Sequence, residues 1–294
     1  MRLRALHASL TPGPWHPRKR TPDFGFATKG AEQALQEACR RMGVVVVGTP
    51  VRGYFTNSRG ATVRASNGVL CWIKVNGVPN GPAQKQLEGE TSAAAIRGVP
   101  KPAILEVQHW TQDSVCWRAV LMTLVPASAK TGPLFSSRRH AISDRWIGEL
   151  KQAMQTITTI TTERRRIDPE WMSAAITKRF GAETPHTCDD WRTAHGDLHW
   201  GNITVPELKL LDWDLWGLAP RGFDAACLVT FTSPDPALTR RLQSAFADEL
   251  DTPSGKVAQL VICAGVLRLV EAGHHDPRFH APVEALARRT LQST

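Results

Sequence analysis

The chain has 294 residues, a formal net charge of +9 and a pI near 9.6, and 42% of its residues are hydrophobic. This length and apolar content suit one large two-lobed unit or two ordinary domains, and they exclude a chain that is disordered throughout. The six cysteines are scattered, with no C-x-x-C pair or metal-ligand spacing, which indicates reduced thiols and argues against a structural zinc site.

The basic excess permits an anionic partner, but it is divided among short runs such as the three arginines Arg164 to Arg166. Such runs are typical of solvated helix faces, so we do not expect a nucleic-acid partner. No apolar run approaches the roughly 18 residues of a membrane-spanning helix. The first 17 residues also have too short an apolar core for a signal peptide. We therefore expect a cytoplasmic protein without a membrane partner, and the sequence does not indicate its oligomeric state.

The first half of the chain changes from a basic segment to β structure. Residues 1–43 are predicted to form a loose arm and a short helix, EQALQEACRRMG. Three antiparallel strands follow in VVVVGTPVR, ATVRAS and VLCWIKV, and the dipeptide Asn67-Gly68 suits a tight hairpin between the last two. A helix over GPAQKQLEGETSAAAIRG precedes two further strands, AILEVQHW and CWRAVLMTLV. We assign residues 44–125 to one small β-rich lobe.

Residues 126–294 are predicted to be mainly helical, for example in SDRWIGELKQAMQTITTI and GKVAQLVICAGVLRLVEAG. This larger lobe contains HGDLHWGNITVPELKLLDWD, residues 195–214. We interpret that stretch as a strand or loop, a turn at Pro206, and a strand LKLLDWD. The predicted fold class is α+β, with a small antiparallel sheet and one helix ahead of a larger helical part.

Three side chains of this stretch together suit phosphoryl transfer. An aspartate with an ordinary pKa, such as Asp197, can orient a hydroxyl and take up its proton. Asn202 and Asp212 offer the oxygen ligands that Mg²⁺ prefers. The five-residue step from Asp197 to Asn202 equals that of a kinase catalytic loop, and Asp212 takes the place of the metal-binding aspartate.

The sequence here resembles the aminoglycoside phosphotransferase-like branch of the protein-kinase superfamily. The family signature HGDLHxxN…(I/L)DW(D/E) is matched by HGDLHWGN and LLDWD, and a further family element by FDAACL. The resemblance implies a bilobal protein-kinase-like fold and transfer of the γ-phosphate of ATP, with GTP as the alternative, to a hydroxyl of a small molecule. It implies Asp197 as the catalytic base, Asn202 and Asp212 as Mg²⁺ ligands, Asp224 as a carboxylate that holds the catalytic loop, and His195 packed beneath it.

The same resemblance requires a lysine on the third strand of the small lobe, and VLCWIKV supplies Lys74. Glu90, sixteen residues later, stands where the family has the lysine's ion-pair partner, with Glu88 as the substitute. Strand alternation puts Trp72 and Lys74 on one face. We predict that Trp72 stacks on the nucleotide base, and the alternative is a tryptophan buried in the lobe.

Two further segments are predicted to contact the nucleotide. Between the first two strands, GYFTNSRGA lacks a G-x-G-x-x-G pattern, and we expect the backbone amides of Ser58, Arg59 and Gly60, together with the Arg59 charge, to meet phosphate oxygens. The alternative is an ordinary hairpin turn. Thr123 and Val125, in the segment LMTLV, are predicted to offer backbone hydrogen bonds to the edge of the base.

The sequence leaves the acceptor open between an aminoglycoside or other antibiotic and a primary metabolite such as an amino alcohol or sugar. A regulatory pseudokinase is the other alternative, although none of the three key residues is substituted. A polycationic acceptor would need several carboxylates, and Asp248, Glu249 and Asp251 are the candidates.

Overall fold

The structure is a computed structural model that describes residues 27–53, 57–81, 84, 87–126 and 142–293. It contains two compact units. Within the described residues, the first unit comprises 27–97 and 101–126, and the second comprises 98–100 and 142–293. Residues 1–26 of the predicted arm lie outside the described residues, and the exact lobe boundaries stay a prediction.

The first unit is a helix packed on an antiparallel sheet. Among the described residues the strands are ordered β1-β3-β4-β6-β5, and β2 also pairs with β3. All of these pairings are antiparallel, as the sequence pattern predicts. The elements are α1 (Ala27–Met42), β1 (Val45–Val46), β2 (Val51–Arg52), β3 (Ser58–Arg64), β4 (Leu70–Pro79), α2 (Gly89–Ser92), β5 (Ile104–Gln112) and β6 (Val115–Thr123).

Because side chains alternate along each strand, one face of the sheet packs against α1 and the other faces away from it. Cys71, Ile73 and Val75 of β4 are buried in a cluster that includes Ala31 and Leu35 of α1. The other side chains of β4 project from the opposite face. The helix that we predicted with the arm therefore packs with the sheet, because α1 covers its apolar face.

The helix predicted over residues 81–98 is shorter in the structure. α2 has four residues and continues as a 3₁₀ turn, Ala93–Ala95. Ile96 then adopts an extended conformation, and Gly98 has a φ of 75° before Pro100, so the helix has no room to continue.

The second unit is mainly helical, as predicted. Side chains of Ser143, Asp168, Asp235 and Thr252 accept backbone N–H bonds at the starts of four helices, which is the usual way to satisfy the first turn. Its elements are α3 (Asp144–Thr158), α4 (Pro169–Phe180), β7 (Trp191–Ala194), β8 (Gly217–Pro220), α5 (Phe223–Thr232), α6 (Pro236–Ala245), α7 (Ala247–Leu250), α8 (Pro253–Glu271) and α9 (His280–Gln292).

α8 is as long as the helix predicted over GKVAQLVICAGVLRLVEAG, but it is more apolar than the sequence pattern indicated. Its 19 residues include a window with a mean hydropathy of 1.3, enough by length and composition alone to cross a membrane. However, 78% of that window is buried inside the protein, as in a core helix. The absence of a membrane partner stays a prediction.

The predicted strand LKLLDWD is wrong. Only one isolated bridge, between Ile203 and Leu210, forms in this region. The chain leaves extended geometry at Asp212, whose φ is 64°, and enters a 3₁₀ turn, Trp213–Leu215. The strands that flank the loop are β7 before it and β8 after it, paired with each other.

Candidate active site

A buried carboxylate at the start of α5 holds the loop that follows β7. Asp224 accepts the backbone N–H of His195 at 2.7 Å through one oxygen and that of Gly196 at 2.9 Å through the other. Burial raises the pKa of Asp224, although the His195 charge and the two backbone bonds act against this rise. The position is the one that the resemblance implies for a loop-holding carboxylate.

His195 lies beneath the same loop. Its Nε2 lies 3.0 Å from the Leu211 carbonyl oxygen, and its ring packs edge-on against Trp213 at 4.6 Å between centroids. Burial lowers the pKa of His195, more than nearby carboxylates raise it. The imidazole therefore joins the two ends of the 195–214 stretch through Nε2.

Asp197 and Asn202 are brought into direct contact. Both are buried, each with a 7% exposed fraction. The Asn202 amide donates from Nδ2 to the Asp197 carbonyl oxygen at 2.9 Å and to its Oδ2 at 3.3 Å. The Oδ1 atom of Asp197 is buried and has no hydrogen-bond partner among the described residues. Asn202 therefore holds Oδ2 of the carboxylate, and Oδ1 can accept a further hydrogen bond.

His199 shares the environment of Asp197. Its Nε2 lies 3.6 Å from Asp197 Oδ2, and its Nδ1 accepts the backbone N–H of Gly201 at 3.0 Å. Burial acts to raise the pKa of Asp197, but His199, Arg166 and His195 outweigh it, so this pKa lies below its ordinary value. The pKa of His199 is raised, because Asp197 and Asp212 outweigh its burial. Asp197 is thus an ionised carboxylate at neutral pH.

Asn202 and Asp212 are connected through the backbone. The Leu211 N–H donates to the Asn202 carbonyl oxygen at 2.8 Å. Leu211 directly precedes Asp212, so this bond holds the backbone before Asp212 against the loop. Because Asn202 uses Nδ2 toward Asp197, its Oδ1 is the atom suited to a metal. An amide oxygen and an exposed carboxylate form a hard-oxygen set that fits Mg²⁺.

The sequence analysis missed Arg166. Instead of lying on a solvated helix face, this residue is 3% exposed, and its Nε donates to the Gly196 carbonyl oxygen at 2.5 Å. No local pattern distinguishes it from Arg164 and Arg165, so only the run of arginines itself could have drawn attention to it.

In the first unit, the structure forms the predicted ion pair on the sheet face opposite α1. Lys74 Nζ lies 3.4 Å from Glu90 Oε2, and the exposed fractions of the two side chains are 14% and 6%. Glu88, the substitute, is exposed and precedes the first residue of α2. Their roles toward a nucleotide stay predictions.

Trp72 is half-buried on the same face as Lys74 and lies over Gly60. A Cβ atom at residue 60 would lie 2.4 Å from Cζ2 of the indole, so only glycine allows this ring position. Gly60 therefore makes room for the Trp72 ring.

The predicted phosphate loop needs correction. Ser58, Arg59 and Gly60 are not in a loop, because β3 begins at Ser58. Arg59 is paired with Val75, whose side chain faces α1, so alternation directs Arg59 to the face opposite Lys74. The Arg59 charge therefore does not lie on the predicted nucleotide face, whereas Ser58 shares the Lys74 face. Contact of the backbone amides of Ser58, Arg59 and Gly60 with phosphate stays a prediction.

Thr123 also needs a correction. Its backbone N–H donates to the Ala103 carbonyl oxygen at 2.9 Å, and its hydroxyl accepts the Ala103 N–H at 3.0 Å. The Thr123 N–H is therefore not available to a base, and a contact through its carbonyl oxygen stays a prediction. Val125 is buried just beyond the end of β6, and its predicted contact with the base stays a prediction.

Two cations that the sequence analysis did not single out hold the segment bearing Glu90. Arg118, fully buried on β6, donates from Nη1 to the Leu87 carbonyl oxygen. Lys101 donates to the carbonyl oxygens of Ala93, at 2.6 Å, and Ile96. The short α2 segment is thus fixed on both sides by side chains from outside it.

Two of the three acidic residues considered for a cationic acceptor are engaged elsewhere. Asp248 pairs with Lys151 at 2.8 Å, and Glu249 pairs with Arg221 at 3.1 Å. These contacts tie α7 to its neighbours and do not assemble a carboxylate cluster for a ligand.

Comparison with known proteins places this geometry in context. A model of the phosphotransferase enzyme family matches residues 142–255, which include Asp197, Asn202, Asp212 and Asp224. A search of curated proteins found no match.

Several solved structures share the fold. Aminoglycoside phosphotransferase APH(4)-Ia has a TM-score of 0.58 and 11% identity, over 89% of this chain and 99% of that chain. Spectinomycin phosphotransferase APH(9)-Ia, in complex with ADP and spectinomycin, has a TM-score of 0.53 and 14% identity, over 89% and 98%. Amicoumacin kinase hAmiN, in complex with AMP-PNP, Ca²⁺ and Ami, has a TM-score of 0.52 and 11% identity, over 90% and 95%.

At these identities the structural likeness shows the fold, and it confirms the predicted α+β, protein-kinase-like architecture. Together with the family match over the loop region, it confirms the predicted resemblance to aminoglycoside phosphotransferases.

Proposed function

We propose that this chain, a small-molecule phosphotransferase of the aminoglycoside and antibiotic kinase type, uses Mg²⁺ and ATP to phosphorylate a hydroxyl group of its acceptor. One observation carries the proposal. The buried Asp197 carboxylate is held through Oδ2 by Asn202, and its Oδ1 has no donor among the described residues. This is the arrangement that a substrate hydroxyl needs for orientation by a base.

In the proposed reaction the acceptor hydroxyl donates to Asp197 Oδ1. The proton passes to the carboxylate as the hydroxyl oxygen forms its bond to the γ-phosphorus, and the bond from that phosphorus to the β–γ bridging oxygen breaks, releasing ADP. Asn202 and Asp212 would hold Mg²⁺, which supplies positive charge to the phosphate oxygens. The Asn202 amide keeps Asp197 from rotating, so the orientation of the base is set before the acceptor arrives.

The first unit is proposed to bind the nucleotide through the face that carries Lys74. Glu90 fixes the ammonium group, which can then contact phosphate oxygens with little loss of side-chain entropy. Trp72 on the same face offers an aromatic surface to the base. We propose ATP as the nucleotide and a reducing cytoplasm as its location, since the six thiols are free.

The acceptor is proposed to be a hydroxylated, antibiotic-like small molecule. Related folds have been solved with hygromycin B or with spectinomycin. Because Asp248 and Glu249 are already paired with protein cations, α7 offers no advantage to a polycationic acceptor. We therefore expect an acceptor with few positive charges.

Isothermal titration with ATP and GTP, with and without Mg²⁺, tests the nucleotide part of this proposal. We expect Mg²⁺-dependent binding and a preference for ATP. A screen that measures ³²P transfer from ATP to hydroxylated antibiotics, sugars and amino alcohols then tests the chemistry. ATP binding without transfer to any acceptor, and without hydrolysis, would favour the pseudokinase alternative.

A further inference from the structure

The three arginines at 164–166 form part of the structure around the catalytic loop. The Leu218 N–H of β8 donates to the Arg164 carbonyl oxygen at 2.7 Å, and the Arg166 N–H donates to the Leu218 carbonyl oxygen at 2.9 Å. Residues 164–166 therefore extend along β8 in a backbone ladder. Because side chains alternate along an extended segment, Arg165 and Arg166 point in opposite directions.

Arg165 and Arg166 consequently have different surroundings. The Arg165 guanidinium lies 5.7 Å from the centre of the half-buried Trp191 ring. Arg166 is buried, lies 5.6 Å from the centre of the Phe223 ring, and reaches the carbonyl of Gly196. Gly196 has a φ of 81°, and a Cβ there would lie 2.7 Å from Arg166 Cδ. The arginine stem thus occupies the space that any other residue at 196 would need.

The charge of Arg166 is opposed by two buried carboxylates, Asp197 and Asp224. Both Asp224 oxygens already accept backbone N–H groups, whereas Asp197 Oδ1 accepts none from the described residues. The Nη1 and Nη2 groups of Arg166 are also buried without hydrogen-bond partners in the described part of the chain. A buried guanidinium is expensive unless a carboxylate compensates it. No hydrogen bond or ion pair joins Arg166 to a carboxylate among the described residues, so Asp197 acts on it through charge alone.

We propose that Arg166 is a positioning residue of the catalytic loop: its Nε fixes the Gly196 carbonyl, and its guanidinium charge holds the adjacent Asp197 carboxylate in place. Arg166 touches neither phosphate nor acceptor in this role. It acts through Asp197, whose direction toward a hydroxyl it stabilises. The inference rests on the proposed kinase function for its effect on turnover, but the coupling between the two side chains is a property of the protein alone.

The coupling is measured with a double-mutant cycle of Arg166→Met and Asp197→Asn, using urea denaturation of the ligand-free chain. Each single change leaves a buried charge without the opposite charge that offsets it, and should raise the unfolding equilibrium constant roughly 100-fold. The increase in the unfolding equilibrium constant of the double variant should be smaller, by at least about tenfold, than the product of the two single-variant increases, because neither charge remains. Effects that multiply to within about twofold would overturn the proposal.

The matched control is the same cycle with Asp168→Asn in place of Asp197→Asn. Asp168 lies two residues from Arg166, but its carboxylate accepts the Trp171 N–H at the start of α4. Its effect should multiply with that of Arg166→Met. If Arg166→Met does not fold, the cycle is run with Arg166→Gln, which keeps an N–H donor and lacks the charge. Recovery of folding in the Arg166→Met/Asp197→Asn double variant would itself support the proposal.

The effect on turnover is measured by hydrolysis of Mg·ATP without added acceptor. Arg166→Met should lower kcat roughly 10- to 100-fold and change the KM for ATP by less than about threefold, since a displaced base affects chemistry more than binding. Arg166→Lys should recover part of kcat, because its ammonium group restores both the charge and a donor. An unchanged kcat in Arg166→Met would overturn the positioning role. If wild-type protein neither binds nor hydrolyses ATP, the proposed function fails, and the denaturation cycle still decides whether Arg166 holds Asp197.

Discussion

At the scale of single residues, the two aspartates of the 195–214 stretch are held in different ways. Asp197 is buried and bonded by the Asn202 amide, whereas Asp212 is exposed and has left-handed backbone geometry. Asparagine tolerates that geometry better than most residues, so asparagine is a conservative replacement at residue 212 as well as at residue 197. The two carboxylates can therefore be neutralised with little change in shape.

We expect Asp197→Asn to keep Mg·ATP binding while turnover falls by roughly 10²- to 10⁴-fold, because only the proton acceptor is lost. Asp212→Asn should lose both turnover and the Mg²⁺-dependent part of ATP affinity, because a metal ligand is lost. The measurements are ATP Kd with and without Mg²⁺ and single-turnover ³²P transfer. Equal losses of Mg·ATP affinity in the two variants would contradict this division of roles.

The role of Trp72 is tested against a second tryptophan of the same sheet. Trp72→Ala should weaken ATP binding by about 5- to 150-fold, since a base–aromatic stack contributes roughly 1–3 kcal/mol. Trp110 packs on the α1 face, where the Arg41 guanidinium lies over its ring. Trp110→Ala should therefore lower the free energy of unfolding and leave ATP Kd unchanged. An unchanged Kd in a folded Trp72→Ala protein would make Trp72 a packing residue.

At the scale of elements, α2 depends on contacts from outside itself. Four residues are too few for a helix to be stable alone, so the position of Glu90 relies on Arg118 and Lys101. Burial lowers the pKa of Lys101 to about 8, with a smaller contribution from Arg97, while Glu90 acts in the opposite direction. The ordinary value is 10.5, so the folded protein releases this proton well before the unfolded chain does.

This difference predicts a pH dependence of stability. Between pH 8 and 10.5 the unfolded chain keeps the Lys101 proton and the folded protein loses it, so the Lys101 contribution to the free energy of unfolding rises with pH. The difference in unfolding free energy between wild type and Lys101→Met should therefore increase across this window. Because the arginine of Lys101→Arg stays charged, the difference in unfolding free energy between Lys101→Arg and Lys101→Met should not change with pH. If the difference between wild type and Lys101→Met is also independent of pH, the lowered pKa of Lys101 is contradicted.

At the scale of the whole molecule, nucleotide binding should appear as stabilisation of the folded chain. Mg·ATP at 100 times its Kd should add about 2.7 kcal/mol to the unfolding free energy of the nucleotide-binding unit. Asp212→Asn should lose most of the difference between ATP with Mg²⁺ and ATP without it, and Asp197→Asn should keep it. Differential scanning fluorimetry over a range of ATP concentrations provides the measurement. No thermal shift with any nucleotide would contradict ATP binding.

Features that depend on neighbouring residues along the chain could be predicted from the sequence. Alternation in VLCWIKV placed Trp72 and Lys74 on one face, and the spacing from Lys74 selected Glu90. The signature around Asp197 indicated the resemblance to aminoglycoside phosphotransferases and the α+β, kinase-like fold. These features follow from the period of a strand and from motif spacing within about twenty residues, so no distant contact is needed to recognise them.

The charged residues that support those motifs could not be predicted in this way, because contacts between distant parts of the chain select them. Arg166 is thirty residues from Gly196, and its burial depends on the ladder with β8 and on the open space above a glycine. Arg59 left the predicted nucleotide face because the start of β3 set its alternation. The sequence of a run such as Arg164 to Arg166 is the same whether its side chains are solvated or buried. The free energy that separates the two cases comes from partners far along the chain, which a local pattern does not contain.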